Sequence, residues 1–245
     1  MDMSTFVLVP GFWLGAWAWR EVTERLRADG HTAYPLTLTG LADREHLGGP
    51  ETRLDTHIDD IVTTILHEDL REVVLVAHSG AGGPVTGAAD RVPDRIAKVV
   101  YLDSGPLPDG LCQLDFYEPE GRDFVRSRLS DGWRYGPPTW QEQTALGAST
   151  AGIPEDAKPG IAARMTPQPY GTLTQPLRLA GAGADLPKAL VSCSFPLDQV
   201  KAMIAAAHPF FAALSGPEWE LHALPTGHWP MFSRPSDTAH LLGSL

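Results

Sequence analysis

The chain has 245 residues, of which 43% are hydrophobic, and carries 19 Lys and Arg against 30 Asp and Glu. The formal net charge of −11 offers no basic face to nucleic acid or an anionic membrane, and the apolar content is too high for a disordered chain. These figures point to a globular protein with a small-molecule partner and neither nucleic acid nor membrane. They leave a homodimer open.

Cys112 and Cys193 lie far apart in no ligand-like spacing, which predicts no disulfide framework, no metal site and a reducing compartment. The stretch "MDMSTFVLVP" has no basic n-region and reads as a strand rather than a signal peptide. No run approaches the roughly 18 apolar residues that a membrane span needs. Together these features predict a cytoplasmic, bacterial-type protein without a cofactor.

The first 105 residues alternate regularly. "TFVLV" is a β-branched run stopped by Pro10 and Gly11. "WAWREVTERLRADG" has helical spacing, with Trp17, Val22 and Leu26 on one face. "HTAYPLTL" reads as a second strand, and Leu54 to Asp69 as an amphipathic helix. "EVVLVA" is a third strand, Gly80 to Arg91 a further helix and "AKVVYL" a fourth strand. From Pro106 to Pro187, Pro and Gly are frequent and periodicity is weak, so this part reads as an inserted lid rather than sheet. The alternation then resumes with "KALVSC", a helix from Leu197 to Leu214, "WELHAL" and a closing helix from Pro235 to Leu245. Strands alternating with helices imply right-handed crossovers and a mostly parallel sheet covered on both faces. The expected organisation is an α/β core from residues 1–105 and 188–245, with a cap from residues 106–187.

"VVLVAHSGAGG" carries the chemistry. A buried-looking strand runs into Ser79 among small residues, as a sharp strand-to-helix turn requires when it lifts a nucleophile above the sheet. Ala77 and Ala81 stand where such turns usually have glycine. A glycine-rich connection capped by Ser79 is the plain structural alternative; a phosphate loop lacks its lysine. A serine needs a base, and the base needs an orienting carboxylate. Among nine histidines, His228 follows the last strand, where this topology places the base. His222 lies in that strand, His208 in a helix, and His78 should point away from the nucleophile. Two aspartates end neighbouring strands, Asp103 and Asp198, and position alone does not choose between them.

The chain resembles the α/β-hydrolase superfamily, closest to the plant-type esterases and hydroxynitrile lyases and their bacterial relatives. The likeness rests on "FVLVPGFWLGAWAWREVTERLRADGH", "VVLVAHSGAGG", "VVYLDSGPLPDG" and "LPTGHWPMFSRP". It implies an α/β-hydrolase fold and an oxyanion hole formed by the backbone N–H groups of Phe12 and Gly80, with Pro10 where the family has histidine. The family's usual acid position falls near Phe195 and Pro196, where no carboxylate stands. Asp103 matches an alternative position used by some members and is preferred to Asp198. Trp229 replaces the lysine that follows the catalytic histidine in hydroxynitrile lyases, which argues against that chemistry. Dehalogenases and epoxide hydrolases of this fold carry Asp where Ser79 stands.

The expected activity is hydrolysis of a small apolar or aromatic carboxylic ester or lactone through an acyl-enzyme. The cavity wall is expected from Trp13, Trp133, Trp140 and Trp229, and plain core packing from Trp17 and Trp19. A biosynthetic enzyme of the same fold (cyclase, thioester release or cofactor-free lyase) and a non-catalytic module for a small ligand are the alternatives.

Overall fold

The computed structural model describes residues 3–208 and 211–245. Six strands form one parallel sheet: β1 (Thr5–Val9), β2 (Thr32–Pro35), β3 (Val73–His78), β4 (Ile96–Leu102), β8 (Lys188–Ser192) and β9 (Trp219–Ala223), in the order β2-β1-β3-β4-β8-β9. The strands are near-continuous apolar runs because both faces are covered. Alternate residues divide between two cores. Val7, Val9, Leu75, Ala77, Val99 and Tyr101 pack with Leu54, Ile58 and Ile61 of α2 (Leu54–His67) and with Val85 and Ala88 of α3 (Gly82–Arg91). Phe6, Leu8, Val74, Val76, Val100 and Leu102 pack on the opposite face with Val22 and Leu26 of α1 (Arg20–Ala28) and with Ala239 and Leu242 of α10 (Pro235–Ser244). Each such Val or Leu adds roughly 1.5–3 kcal/mol relative to exposure. β3 lies at the centre and is buried at all six positions, so the turn that follows it rises from the middle of the sheet.

Between β4 and β8 the chain forms a layer of short elements. These are α4 (Pro119–Ser127), the two-residue strands β5 (Leu129–Ser130) and β6 (Arg134–Tyr135), α5 (Trp140–Ala145), α6 (Lys158–Ala162), β7 (Gln168–Pro169) and α7 (Gly171–Thr174). The expectation of no sheet in this region is corrected: β5, β6 and β7 pair antiparallel. Strands of two residues are too short to leave a periodic signal. A small third core of Leu114, Val125, Tyr135 and Leu173 packs this layer against Phe12 and Trp13.

Three further boundaries differ from expectation. β2 stops at Pro35 rather than Leu38, at the edge of the sheet, although the Leu36 N–H still donates to the Leu8 carbonyl at 2.9 Å. α3 is preceded by a 3₁₀ turn at Ser79–Ala81. The helix α8 covers only Leu197–Ala205, and its expected continuation crosses residues 209 and 210, which lie outside the described residues. Ala207, at φ 50°, adopts the left-handed conformation. The N–H groups of Ala207 and His208 then turn back to Ile204 and Met203, at 2.9 and 3.0 Å, which closes the helix with its last carbonyls paired. His208 is therefore outside the helix.

Candidate active site

Ser79 follows the last residue of β3 and has φ 52°. A non-glycine residue there costs on the order of 1–3 kcal/mol, and such strain persists where the surroundings hold it. Here they do. Ser104 donates from Oγ to the Ser79 carbonyl at 2.6 Å. Gly11 passes so close that a Cβ on it would lie 2.9 Å from the Ser79 Cβ and from His78 Nδ1. A Cβ on Gly80 would meet the Phe12 ring at 2.5 Å. Small residues around Ser79 thus reflect the close approach of the Gly11–Phe12 loop. Asp103 at φ 45° and Trp13 at φ 65° share the left-handed conformation, so three residues of one site carry backbone strain.

His228 lies between β9 and α9 (Pro230–Ser233). Its backbone N–H donates to the Ser149 carbonyl at 2.7 Å and that of Gly227 to the Ala151 carbonyl at 3.0 Å, which ties this loop to the layer above the sheet. The side chain bridges two partners. Nε2 is 2.7 Å from Ser79 Oγ, and Nδ1 is 2.6 Å from Asp103 Oδ2. A carboxylate only accepts, so Nδ1 donates and Nε2 is free to accept the serine hydroxyl proton.

Asp103 directly follows β4, with its side chain 5% exposed. Burial alone would raise its pKa. The hydrogen bond and charge of His228, followed by the Ser194 hydrogen bonds, outweigh burial and hold it below the usual carboxylate value. Oδ1 accepts from the backbone N–H groups of Cys193 and Ser194, at 3.0 and 2.9 Å, and Oδ2 from Ser194 Oγ at 2.6 Å. The loop after β8 therefore supplies donors to a carboxylate on the neighbouring strand. Asp198, the other candidate, is exposed in the first turn of α8 and is not part of this chain of hydrogen bonds.

Phe12 and Gly80 both flank Ser79, and neither backbone N–H meets an acceptor among the described residues. Two donors beside the Ser79 hydroxyl suit a developing oxyanion. Trp13 is fixed from both ends: its N–H donates to Gln168 Oε1 and its Nε1 to the Tyr135 carbonyl, each at 3.2 Å.

A cavity of about 630 Å³ opens above Ser79. Phe12, Trp13, Phe116, Tyr117, Phe124, Tyr135 and Trp229 line it. Two expected wall residues, Trp133 and Trp140, do not. Trp140 stands behind Trp229, edge-on at 5.2 Å, with Nε1 on the Lys158 carbonyl at 3.1 Å. Trp133 lies under the Arg134 guanidinium at 5.3 Å. Scattered aromatics in an aperiodic segment give no sign of which side they face, and Tyr135, beside Trp133 in sequence, is the ring that reaches the cavity. Trp19 is fully buried and Trp17 stacks on Phe232 at 5.7 Å, both as packing residues.

His78, Ser104, Gln168 and Ser194 belong to the site and escaped the reading of the sequence. His78 bonds to the His228 loop rather than to Ser79. It lies beneath His228 and donates from Nε2 to the His228 carbonyl at 2.7 Å. Its position within the motif was the available signal. Among the described residues, no group of three His, Cys, Asp or Glu is placed to hold a metal ion, and no helix is long and apolar enough to cross a membrane.

Comparison with known proteins gives a consistent kinship. The sequence pattern of the alpha/beta hydrolase family matches residues 6–241. A carbendazim hydrolyzing esterase from Nocardioides sp. (strain SG-4G) is 30% identical, covering 99% of this chain and 100% of the relative. Methylesterase 4 of Arabidopsis thaliana is 33% identical over 54% of this chain and 49% of its own. Among solved structures, an extracellular alpha/beta-hydrolase from a Paenibacillus species, described as sharing structural and functional homology with tobacco salicylic acid binding protein 2, superposes with a TM-score of 0.80 at 21% identity over 98% of both chains. This chain belongs to the alpha/beta hydrolase family, in the plant-type esterase group with its bacterial relatives.

Proposed function

We propose that this carboxylic ester hydrolase works through Ser79 as nucleophile, His228 as general base and Asp103 as the orienting acid. The observation that carries the reading is the unbroken chain from Ser79 Oγ to His228 Nε2 at 2.7 Å and from His228 Nδ1 to Asp103 Oδ2 at 2.6 Å, on the floor of an aromatic cavity.

Ser79 Oγ attacks the ester carbonyl as His228 Nε2 takes its proton. The oxyanion that forms is held by the N–H groups of Phe12 and Gly80, each worth on the order of 3 kcal/mol of barrier. The Asp103 carboxylate stabilises the imidazolium and stays ionised. His228 then protonates the departing alkoxide. A water, deprotonated by the same nitrogen, releases the acid from Ser79. The rings of Phe12, Trp13, Tyr117 and Trp229 favour a small apolar or aromatic ester or lactone. The esterase name of the full-length Nocardioides relative supports the reaction class.

Rapid mixing with a p-nitrophenyl ester tests the reading. A burst of one p-nitrophenol per protein followed by slower release is the expected result, because acylation precedes hydrolysis. Ser79→Ala should lower kcat by roughly ten-thousandfold or more. Turnover retained in Ser79→Ala would remove the serine from the mechanism.

A further inference from the structure

The residues lining the cavity above Ser79 include no lysine and no arginine. They include two carboxylates. Asp103 is occupied by His228 and the loop after β8. Glu118, immediately before α4, is exposed, and its carboxylate has no hydrogen bond or ion pair among the described residues.

The nearby cations are engaged, and Arg128 already lies over the Phe124 ring, 5.6 Å from its centroid. Arg122 donates from Nε to the Tyr117 carbonyl at 2.9 Å, Arg126 pairs with Asp123 at 2.9 Å, and Arg128 pairs with Glu142 at 2.8 Å. The carboxylate of Asp115, close by, accepts the Cys112 N–H at 2.8 Å. Glu118 thus carries a carboxylate without an ion-pair partner among the described residues at the cavity rim. The two residues that precede it in the chain, Phe116 and Tyr117, also line the cavity and bring rings to the same wall. Aromatic faces attract cations, most strongly where water is displaced, and a carboxylate among them adds a direct counter-charge.

We propose that this cavity takes esters bearing a cationic nitrogen, as an alkylammonium or a protonated ring nitrogen, with Glu118 as counter-ion and the neighbouring rings of Phe116 and Tyr117 beside it. The proposal rests on the ester-hydrolase reading of the same cavity and names the charge of its substrate. An anionic ester meets no lysine or arginine in the cavity lining and is disfavoured by Glu118.

The test compares kcat/KM at low ionic strength for butyrylcholine, its uncharged isostere 3,3-dimethylbutyl butyrate, and the anionic monobutyl succinate. The expected order is cationic, neutral, anionic, with about a tenfold advantage of the first over the second. Glu118→Gln should bring that ratio to within about twofold of unity, and about 0.5 M salt should erode it in the wild type. Glu118→Lys should invert the order in favour of the succinate. Glu118 is exposed, so these variants fold, as an unchanged melting temperature and fluorophosphonate labelling of Ser79 would show. Equal wild-type values for the cationic and neutral esters, or a ratio that Glu118→Gln does not move, overturns the substrate proposal while leaving ester hydrolysis standing. Failure of all three esters, together with no labelling of Ser79, overturns the catalytic reading instead.

Discussion

His78 holds His228 from below: its Nε2–H donates to the His228 backbone carbonyl at 2.7 Å, with ring centroids 5.1 Å apart. A carbonyl can only accept, so the proton of His78 is fixed on Nε2. Its Nδ1 is buried without a partner, against the close-passing Gly11. Burial, and then the neighbouring His228, push its pKa down to about 3. The ring is therefore neutral at neutral pH. It locks the strand that presents the serine to the loop that presents the base.

That depressed pKa makes stability depend on pH. Unfolded His78 takes up a proton below about 6.5, while the folded form resists until about pH 3. The unfolded state binds more protons in that window, so the stabilisation is complete above about pH 6.5 and is lost as pH falls. At pH 5 the loss from this group is about 2 kcal/mol. Urea unfolding at pH 7.5 and pH 5 should show the wild type losing about 2 kcal/mol more than His78→Gln. His57, also buried with a lowered pKa, is present in both proteins and cancels. Equal losses would contradict the assignment.

The acid can be tested by exchange at two positions. Asp103→Asn keeps the shape but leaves the His228 Nδ1–H without a carboxylate, and kcat should fall by roughly a thousandfold to ten-thousandfold. Asp198→Asn, at an exposed site in the first turn of α8, should change kcat by less than about twofold. Steady-state kinetics of the two variants checks the pair, and the reverse pattern would move the acid to α8.

Ser194 tunes that carboxylate from outside the relay. Its hydroxyl donates to Asp103 Oδ2, the oxygen that also meets His228. Ser194→Ala should lower kcat about tenfold, through a buried charge that has lost a donor, and leave KM nearly unchanged. Ser194→Thr, which restores the hydroxyl, should recover most of the loss.

Gly80 is a steric test of the oxyanion loop. A methyl group there would meet the Phe12 ring at 2.5 Å, so Gly80→Ala should displace Phe12 and its N–H together. A loss of about a hundredfold in kcat, larger than the change in KM, is the expected signature of damage to transition-state binding. Phe12→Ala in the same background removes the clash and should restore part of the rate.

The relay was legible in the sequence because each member closes a strong local pattern. Ser79 ends an apolar strand among residues too small for anything but a tight turn, His228 follows the last strand, and Asp103 ends the strand next to the nucleophile's. The Asp103–Asp198 choice needed space, since it depends on the loop after β8 turning its N–H groups toward the neighbouring strand. The cavity wall was least legible. Whether Trp133 or Tyr135 faces the substrate depends on the register of two-residue strands, which no periodicity records. The role of His78 was not legible because its partner is the backbone carbonyl of a residue 150 positions away.

Incubation with a fluorophosphonate, followed by peptide mapping, tests the central claim most directly. Stoichiometric label on Ser79 in the wild type, and at most trace label in His228→Ala, is the predicted result, since the hydroxyl reacts only when the imidazole takes its proton. Labelling of Ser79 that proceeds as fast without His228, or an unlabelled Ser79 in an enzyme that still turns over esters, would contradict it.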